Sequence, residues 1–157
     1  MPYHPTYRGL LRAEGIDAKP AHFLSRPDDY DYVRRLAVEG RLIPVVGDFA
    51  GPHALRAIGE LVRKQGEKVT AFYVSNVEFY LMRNGSFPAY VENVRSLPRS
   101  ESSQFIRAYF SYGYPHPAAL PGQRSTLVRQ KMDRFFELYD KGSYASFWDV
   151  STLDYEP

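Results

Sequence analysis

The run Leu42-Ile-Pro-Val-Val-Gly-Asp-Phe-Ala-Gly51, followed by Pro52-His-Ala-Leu-Arg-Ala-Ile-Gly-Glu-Leu-Val-Arg-Lys-Gln-Gly66 and then Val69-Thr-Ala-Phe-Tyr-Val-Ser75, decides the expected fold. Leu42–Val46 is a short, β-branched apolar run that reads as a buried strand ending at Gly47-Asp48. Pro52 is expected in the first helical turn, where its missing N–H is no loss. Leu55, Ile58, Leu61 and Val62 recur at helical spacing, and Gly66 supplies a left-handed stop. Val69–Ser75 reads as a second buried strand. Strand, helix and strand of these lengths predict a βαβ unit, and near-continuous apolar strands favour a parallel sheet covered on both faces.

Working outward, residues 1–24 carry two prolines and little apolar sequence beyond Leu10-Leu11, and read as an extended arm. Residues 25–157 then form a single α/β domain. Its first helix is expected from Ser25 to about Val38, showing Val33, Leu36 and Ala37 to a core and ending at Gly40. After Ser75, a short helix is expected through Asn76–Arg83 and another from Pro88, with Val91, Val94 and Leu97 on one side. Gln104–Phe110 reads as a third strand, preceded by a polar loop at Ser100–Ser103. Tyr112–Arg124 reads as a long irregular loop, of the kind that is often functional. Thr126–Lys141 is expected as a helix with Val128, Met132, Phe135 and Tyr139 on one face. Tyr144–Val150 reads as a fourth strand.

A chain of 157 residues fits one domain with a real core. Twenty Lys and Arg against eighteen Asp and Glu give a formal charge of +2, too small to point to nucleic acid. No run is long enough to span a membrane as a helix, and a cytoplasmic protein is expected. The absence of cysteine excludes disulfides, thiolate metal sites and cysteine nucleophiles. Thirteen Tyr and ten Phe are expected to pack the core and its flanking loops.

In open α/β sheets, ligands sit outside the carboxyl ends of the strands. Asp48 follows the first expected strand, and Asn76 and Glu78 follow the second, so neighbouring strands would bring these tips together. The expected helix start at Gly51-Pro52 would aim its dipole into the same crevice. Asp48 serves equally well as a turn or capping residue. Asn76 and Glu78 could equally open a short helix. Ser75 lacks the glycine-flanked elbow of a serine hydrolase. The histidines His4, His22, His53 and His116 show no metal-site pairing, so no metal and no catalytic residue is assigned. His53 lies at the expected helix start. His116, in Tyr112-Gly-Tyr-Pro-His-Pro117, could reach a ligand or lie in solvent.

The segment Val45-Val-Gly-Asp-Phe-Ala-Gly-Pro-His-Ala-Leu-Arg-Ala-Ile-Gly59, with Ala71-Phe-Tyr-Val-Ser-Asn-Val-Glu78, resembles the later half of an uncharacterised bacterial methyltransferase-like family. Pro5-Thr-Tyr-Arg8 and Ser102-Ser-Gln-Phe-Ile-Arg107 are similar to the same family, so the resemblance covers most of the chain. It implies a Rossmann-like α/β fold with a mostly parallel sheet and helices on both faces. It also implies S-adenosylmethionine as cofactor, with Gly47, Asp48, Phe49, Ser75 and Asn76 on the cofactor side. Asp48 would meet the adenine amino group, and Glu78 and His116 would face the methyl acceptor. No Gly-x-Gly turn or ribose-binding acid precedes Leu42, and some forty residues cannot hold two further βαβ crossovers, since each needs roughly thirty. The resemblance therefore implies the C-terminal half of an incomplete methyltransferase-type fold.

Two functions follow as expectations. The first is methyl transfer from S-adenosylmethionine, driven by positioning. The second is a non-catalytic binding or assembly module that self-associates, or recruits a missing N-terminal half, through an exposed sheet edge. A phosphate-binding hydrolase built on the Gly47–Gly51 turn ranks below both, because no Lys-Ser/Thr pair follows the turn.

Overall fold

A computed structural model of the protein describes residues 6–15, 17–20, 22–111, 113–123 and 125–157. His4 and the first residues of the arm, together with Tyr112 and Arg124 at the two ends of the expected long loop, lie outside the described residues. The chain divides into two compact units, Met1–Val45 and Val46–Pro157.

The first unit contains helix α1 (Tyr7–Leu11), a 3-10 turn at Phe23–Ser25 and helix α2 (Pro27–Val38). Thr6 caps α1 by accepting from the Gly9 amide. The Ser25 hydroxyl donates to the Leu11 carbonyl at 2.7 Å and ties the 3-10 turn to the end of α1. Within the expected arm, residues 7–11 are helical, and α2 falls in the same unit. Pro27 opens α2, Asp28 and Asp29 occupy its positive first turn, and Val33 and Leu36 are half-buried along one side.

The second unit is a mixed α/β fold around a three-stranded sheet. Helix α3 (Ala54–Lys64) precedes strand β1 (Val69–Ser75), and helices α4 (Val77–Arg83) and α5 (Phe87–Arg95) cross over to strand β2 (Arg99–Phe110). Strand β3 (Ser125–Lys131) leads directly into helix α6 (Met132–Asp140), and α7 (Phe147–Thr152) follows. The strand order is β1-β2-β3, with β1 parallel to β2 and β2 antiparallel to β3. A βααβ crossover and a strand reversal thus build a mixed sheet, in place of the mostly parallel one that was expected.

Four sequence expectations are corrected here. Leu42–Val46 is not a strand: residues 41–48 have no regular structure, Val46 is 102% exposed and Ile43 62%. The run forms none of the sheet's three strands, so the expected βαβ unit lacks its first strand. Pro52 precedes α3, whose first residue is Ala54 with His53 as its N-cap. Thr126–Lys131 forms β3, not the start of a long helix, and Tyr144–Val150 gives way to α7 in place of a fourth strand.

One face of the sheet makes the core. Phe72 and Val74 of β1 point inward with Phe105, Arg107 and Tyr109 of β2 and Thr126, Val128 and Gln130 of β3, as the pairing Phe72↔Phe105↔Gln130 requires. Phe87, Tyr90, Val91 and Val94 of α5 and Met132, Phe135 and Phe136 of α6 join this layer. Phe105 and Phe135 meet edge-to-face at 4.7 Å. The opposite face carries Ala71, Tyr73, Gln104, Ile106, Leu127 and Arg129, and Tyr73 and Leu127 are 58% and 57% exposed. The expected helical cover on both faces is therefore incomplete at these positions. Among the described residues, no helix is long and apolar enough to cross a membrane.

Candidate functional site

The turn that was expected to sit at a strand tip is held by local chemistry. Asp48 Oδ1 accepts from the Ala50 amide at 2.9 Å, and the Gly51 amide donates to the Asp48 carbonyl. Asp48 is thus an Asx-turn residue, exposed to solvent. The buried amide of Asn93, on α5, donates to the carbonyls of Phe49 at 2.9 Å and Gly51 at 2.7 Å, while Arg56 Nε donates back to Asn93 Oδ1. Gly47 is required by close approach, since a Cβ there would fall 2.3 Å from Ala54 Cβ. Phe49 stacks on Phe72 at 6.3 Å and tilts against Tyr90, so its ring anchors the turn to the core. Asp48 and Asn76 do not occupy neighbouring strand tips, because the strand that would deliver Asp48 does not form.

Ser75 and Asn76 do lie at the carboxyl end of a parallel strand, both half-buried. Ser75 has a left-handed backbone (φ +50°), uncommon for a side chain of its kind and set beside an irregularity in the β1–β2 register. Asn76 is the N-cap of α4, but its side chain makes no capping bond.

Glu78, which the resemblance placed toward a methyl acceptor, is internal. It lies fully buried against Arg107, which donates from Nε to Oε2 at 2.5 Å and from Nη2 to Oε1 at 3.1 Å. Tyr90 OH donates to Glu78 Oε1, Arg107 Nη1 donates to Gln130 Oε1, and Gln130 Nε2 donates to the Leu153 carbonyl and Tyr144 OH. The Arg107 guanidinium also lies 4.4 Å from the Phe105 ring centroid and 5.0 Å from that of Phe135. Burial alone disfavours its charge, but the charge and hydrogen bonds of Glu78 outweigh that and raise its pKa. Burial, reinforced by Glu78, pushes the Tyr90 phenol well above its ordinary value. Burial also pushes Tyr144 up to about 12, against the opposing hydrogen bond of Gln130 and charge of Arg107. This network fixes α4, β2, β3 and the C-terminal segment to one another.

His116 is likewise internal. Its Nδ1 accepts from the Ala118 amide and its Nε2 lies 2.9 Å from the Ser151 carbonyl, which fixes the tautomer with the proton on Nε2. Tyr109, Trp148 and Tyr155 surround the ring. His53 is exposed, and His22 Nδ1 accepts from the Leu24 amide. Among the described residues, no group of three or more His, Cys, Asp or Glu is arranged to hold a metal ion.

An open polar groove of about 730 Å³ is lined by Lys68, Leu97, Arg99, Ser100, Glu101, Ser102 and Asp133. It lies where β1 and β2 begin, at the end of the sheet away from Ser75 and Asn76. Arg99 is already committed there to Asp133 at 2.7 Å.

The two edges of the sheet differ most. Beside β3, Arg129 exchanges both backbone hydrogen bonds with Glu156, at 2.8 and 2.7 Å, so the C-terminal residues cover that edge locally. Beside β1, none of the described strands pairs with the edge away from β2. Val69–Ser75 contains no charge and no proline, the two devices that most often blunt such an edge. Arg107 and Gln130 carried no functional expectation from the sequence. For Arg107 a signal existed, since it occupies the same side of an alternating strand as Phe105 and Tyr109.

A family model described as Domain of unknown function (DUF7790) matches residues 6–146, and the chain belongs to that family. No curated protein matches the chain.

Proposed function

We propose that this member of the family is a non-catalytic assembly module that takes a strand from another polypeptide onto the outer edge of β1. The carrying observation is the asymmetry of the sheet: Glu156 covers the β3 edge locally, whereas among the described residues no strand pairs with the outer edge of β1, seven residues without charge or proline. Tyr73, on the outward face of that strand, and Leu127 add exposed apolar surface. The buried Glu78–Arg107 network supports the same reading, because it spends the most unusual polar residues on rigidity. A chain without cysteine is in keeping with a cytoplasmic setting. Light scattering on size-exclusion peaks across a concentration series tests the reading. Association that is lost on Tyr73→Lys supports it, and a clean monomer at every concentration contradicts it.

A second reading is methyl transfer from S-adenosylmethionine on a Rossmann-like sheet completed by other polypeptide. It is favoured by the left-handed Ser75 at the carboxyl end of a parallel strand, since strained backbone collects at ligand sites. Ser75 and Asn76 would meet the cofactor, with Gly47, Asp48 and Phe49 on the adenine side. Titration calorimetry with S-adenosylmethionine and S-adenosylhomocysteine tests it: binding that Asn76→Ala weakens supports it, and no heat at millimolar ligand removes it.

A further inference from the structure

Independently of the assembly reading, we infer that the groove where β1 and β2 begin binds a small zwitterion, an amino acid or a dipeptide. Lys68 and a serine hydroxyl hold its carboxylate, and Glu101 holds its ammonium. All of the groove's lining residues belong to the Val46–Pro157 unit. Its volume of about 730 Å³ is that of a small-molecule site.

A distortion of the sheet builds the groove. Val69 pairs with Arg99 and Ala71 with Gln104, so two steps along β1 face five along β2. Ser100–Ser103 carries the surplus and leaves the ladder as a bulge. Bulges recur beside binding sites, where they re-aim side chains. Ser103 pins this one: its Oγ donates to the Val69 carbonyl at 2.6 Å and accepts from the Ser100 amide at 2.8 Å. Ser100 Oγ lies 2.9 Å from Ser102 Oγ and 3.4 Å from Ser103 Oγ. The Ser103 proton is spent, and one proton suffices for the Ser100–Ser102 contact. Among the described residues the remaining hydroxyl proton has only the long approach to Ser103, so it is free for a ligand.

The charges decide the ligand. Arg99 Nε donates to Asp133 at 2.7 Å and its Nη1 to the Arg95 carbonyl, so that pair is neutral and engaged. Lys68 and Glu101, both exposed, form no ion pair with each other or with any other described residue. The groove thus offers one uncommitted cation and one uncommitted anion. A bare anion is repelled by Glu101 and a bare cation by Lys68, whereas a molecule carrying both charges satisfies each. Leu97 adds an apolar patch for an aliphatic body.

The test follows backbone amide NMR shifts of the isotope-labelled full chain. The probes are glycyl-L-leucine and its two singly charged analogues, N-acetyl-glycyl-L-leucine and glycyl-L-leucine amide. The inference expects millimolar glycyl-L-leucine to move the amides of Lys68 and Arg99–Ser103. Each capped analogue should bind about two- to fivefold more weakly, the size of one exposed charge contact. Lys68→Gln should erase the difference between the dipeptide and its amide, and Glu101→Gln the difference between the dipeptide and its acetylated form. Both positions are exposed, and unchanged shifts elsewhere verify that the variants keep the fold. No movement of these amides at millimolar dipeptide overturns the inference. A capped analogue that binds as well as its parent overturns it by making the groove a site for a single charge. Binding that neither substitution weakens overturns it by placing the contact elsewhere.

Discussion

Arg107 and Glu78 meet in the core through two hydrogen bonds, Nε to Oε2 at 2.5 Å and Nη2 to Oε1 at 3.1 Å, with both side chains fully buried. One sits on the central strand and the other on the helix that follows β1. The pair therefore locks the βααβ crossover to the strand it reaches. Its remaining donors and acceptors are taken by Tyr90 and Gln130, the condition under which a buried ion pair is tolerated at all.

Removing one partner leaves the other buried and uncompensated. Arg107→Met and Glu78→Gln are each expected to lower unfolding free energy by about 3–5 kcal/mol. The double variant Arg107→Met/Glu78→Leu should lose less than the sum of its single changes, because neither charge is left behind. Urea denaturation of the three variants checks this.

The two network tyrosines give the protein an alkaline limit. In the unfolded chain both lose their protons near pH 10, but in the folded protein Tyr144 is pushed up to about 12 and Tyr90 is raised well above its ordinary value. Between those limits the unfolded state binds fewer protons than the folded one, so stability falls as pH rises. The contribution is fully present below about pH 10 and declines above it. Melting temperatures from pH 8 to 11.5 should drop at the alkaline end, and Tyr144→Phe should flatten the drop.

At the Asp48 turn, the expected effect is structural. Asp48→Asn keeps an acceptor for the Ala50 amide and should be near neutral, whereas Asp48→Ala should cost about 1 kcal/mol. Gly47→Ala drives a methyl group into Ala54 and should cost about 1–3 kcal/mol. Thermal melts of the three variants give the order Asn, Ala, then Gly47→Ala. A cofactor role for Asp48 instead predicts lost ligand binding at unchanged melting temperature.

Elements whose pattern is settled locally were legible in the sequence. Val69–Ser75, the helix at Val77–Arg83 and the buried Val91 and Val94 of α5 lie where the apolar pattern placed them, while Leu97, also buried, falls just past the end of that helix. Leu42–Val46 was not, because a short apolar run carries no information about whether a neighbouring strand will receive it. Val128, Met132 and Phe135 satisfy helical spacing, so β3 and α6 merged into one expected helix. The competing period of two runs through Thr126, Val128 and Gln130, and polar Thr126 and Gln130 hid it. Gln130 is internal because Arg107 and the Leu153 carbonyl bond to it, a tertiary fact. A local signal does exist at Ser146-Phe-Trp-Asp149. There the Ser146 hydroxyl accepts from the Asp149 amide while Asp149 accepts from the Ser146 amide, a capping box that opens α7. Glu78 and His116 are buried with partners distant in sequence, Arg107 and the Ser151 carbonyl, which no local pattern reveals.

Amide hydrogen exchange across Val69–Ser75, followed by mass spectrometry from sub-micromolar to near-millimolar protein, tests most directly whether β1 accepts another strand. The account predicts fast exchange of the edge amides at low concentration, protection that grows with concentration, and no such growth in Tyr73→Lys. Exchange in β1 that stays the same at every concentration would contradict it.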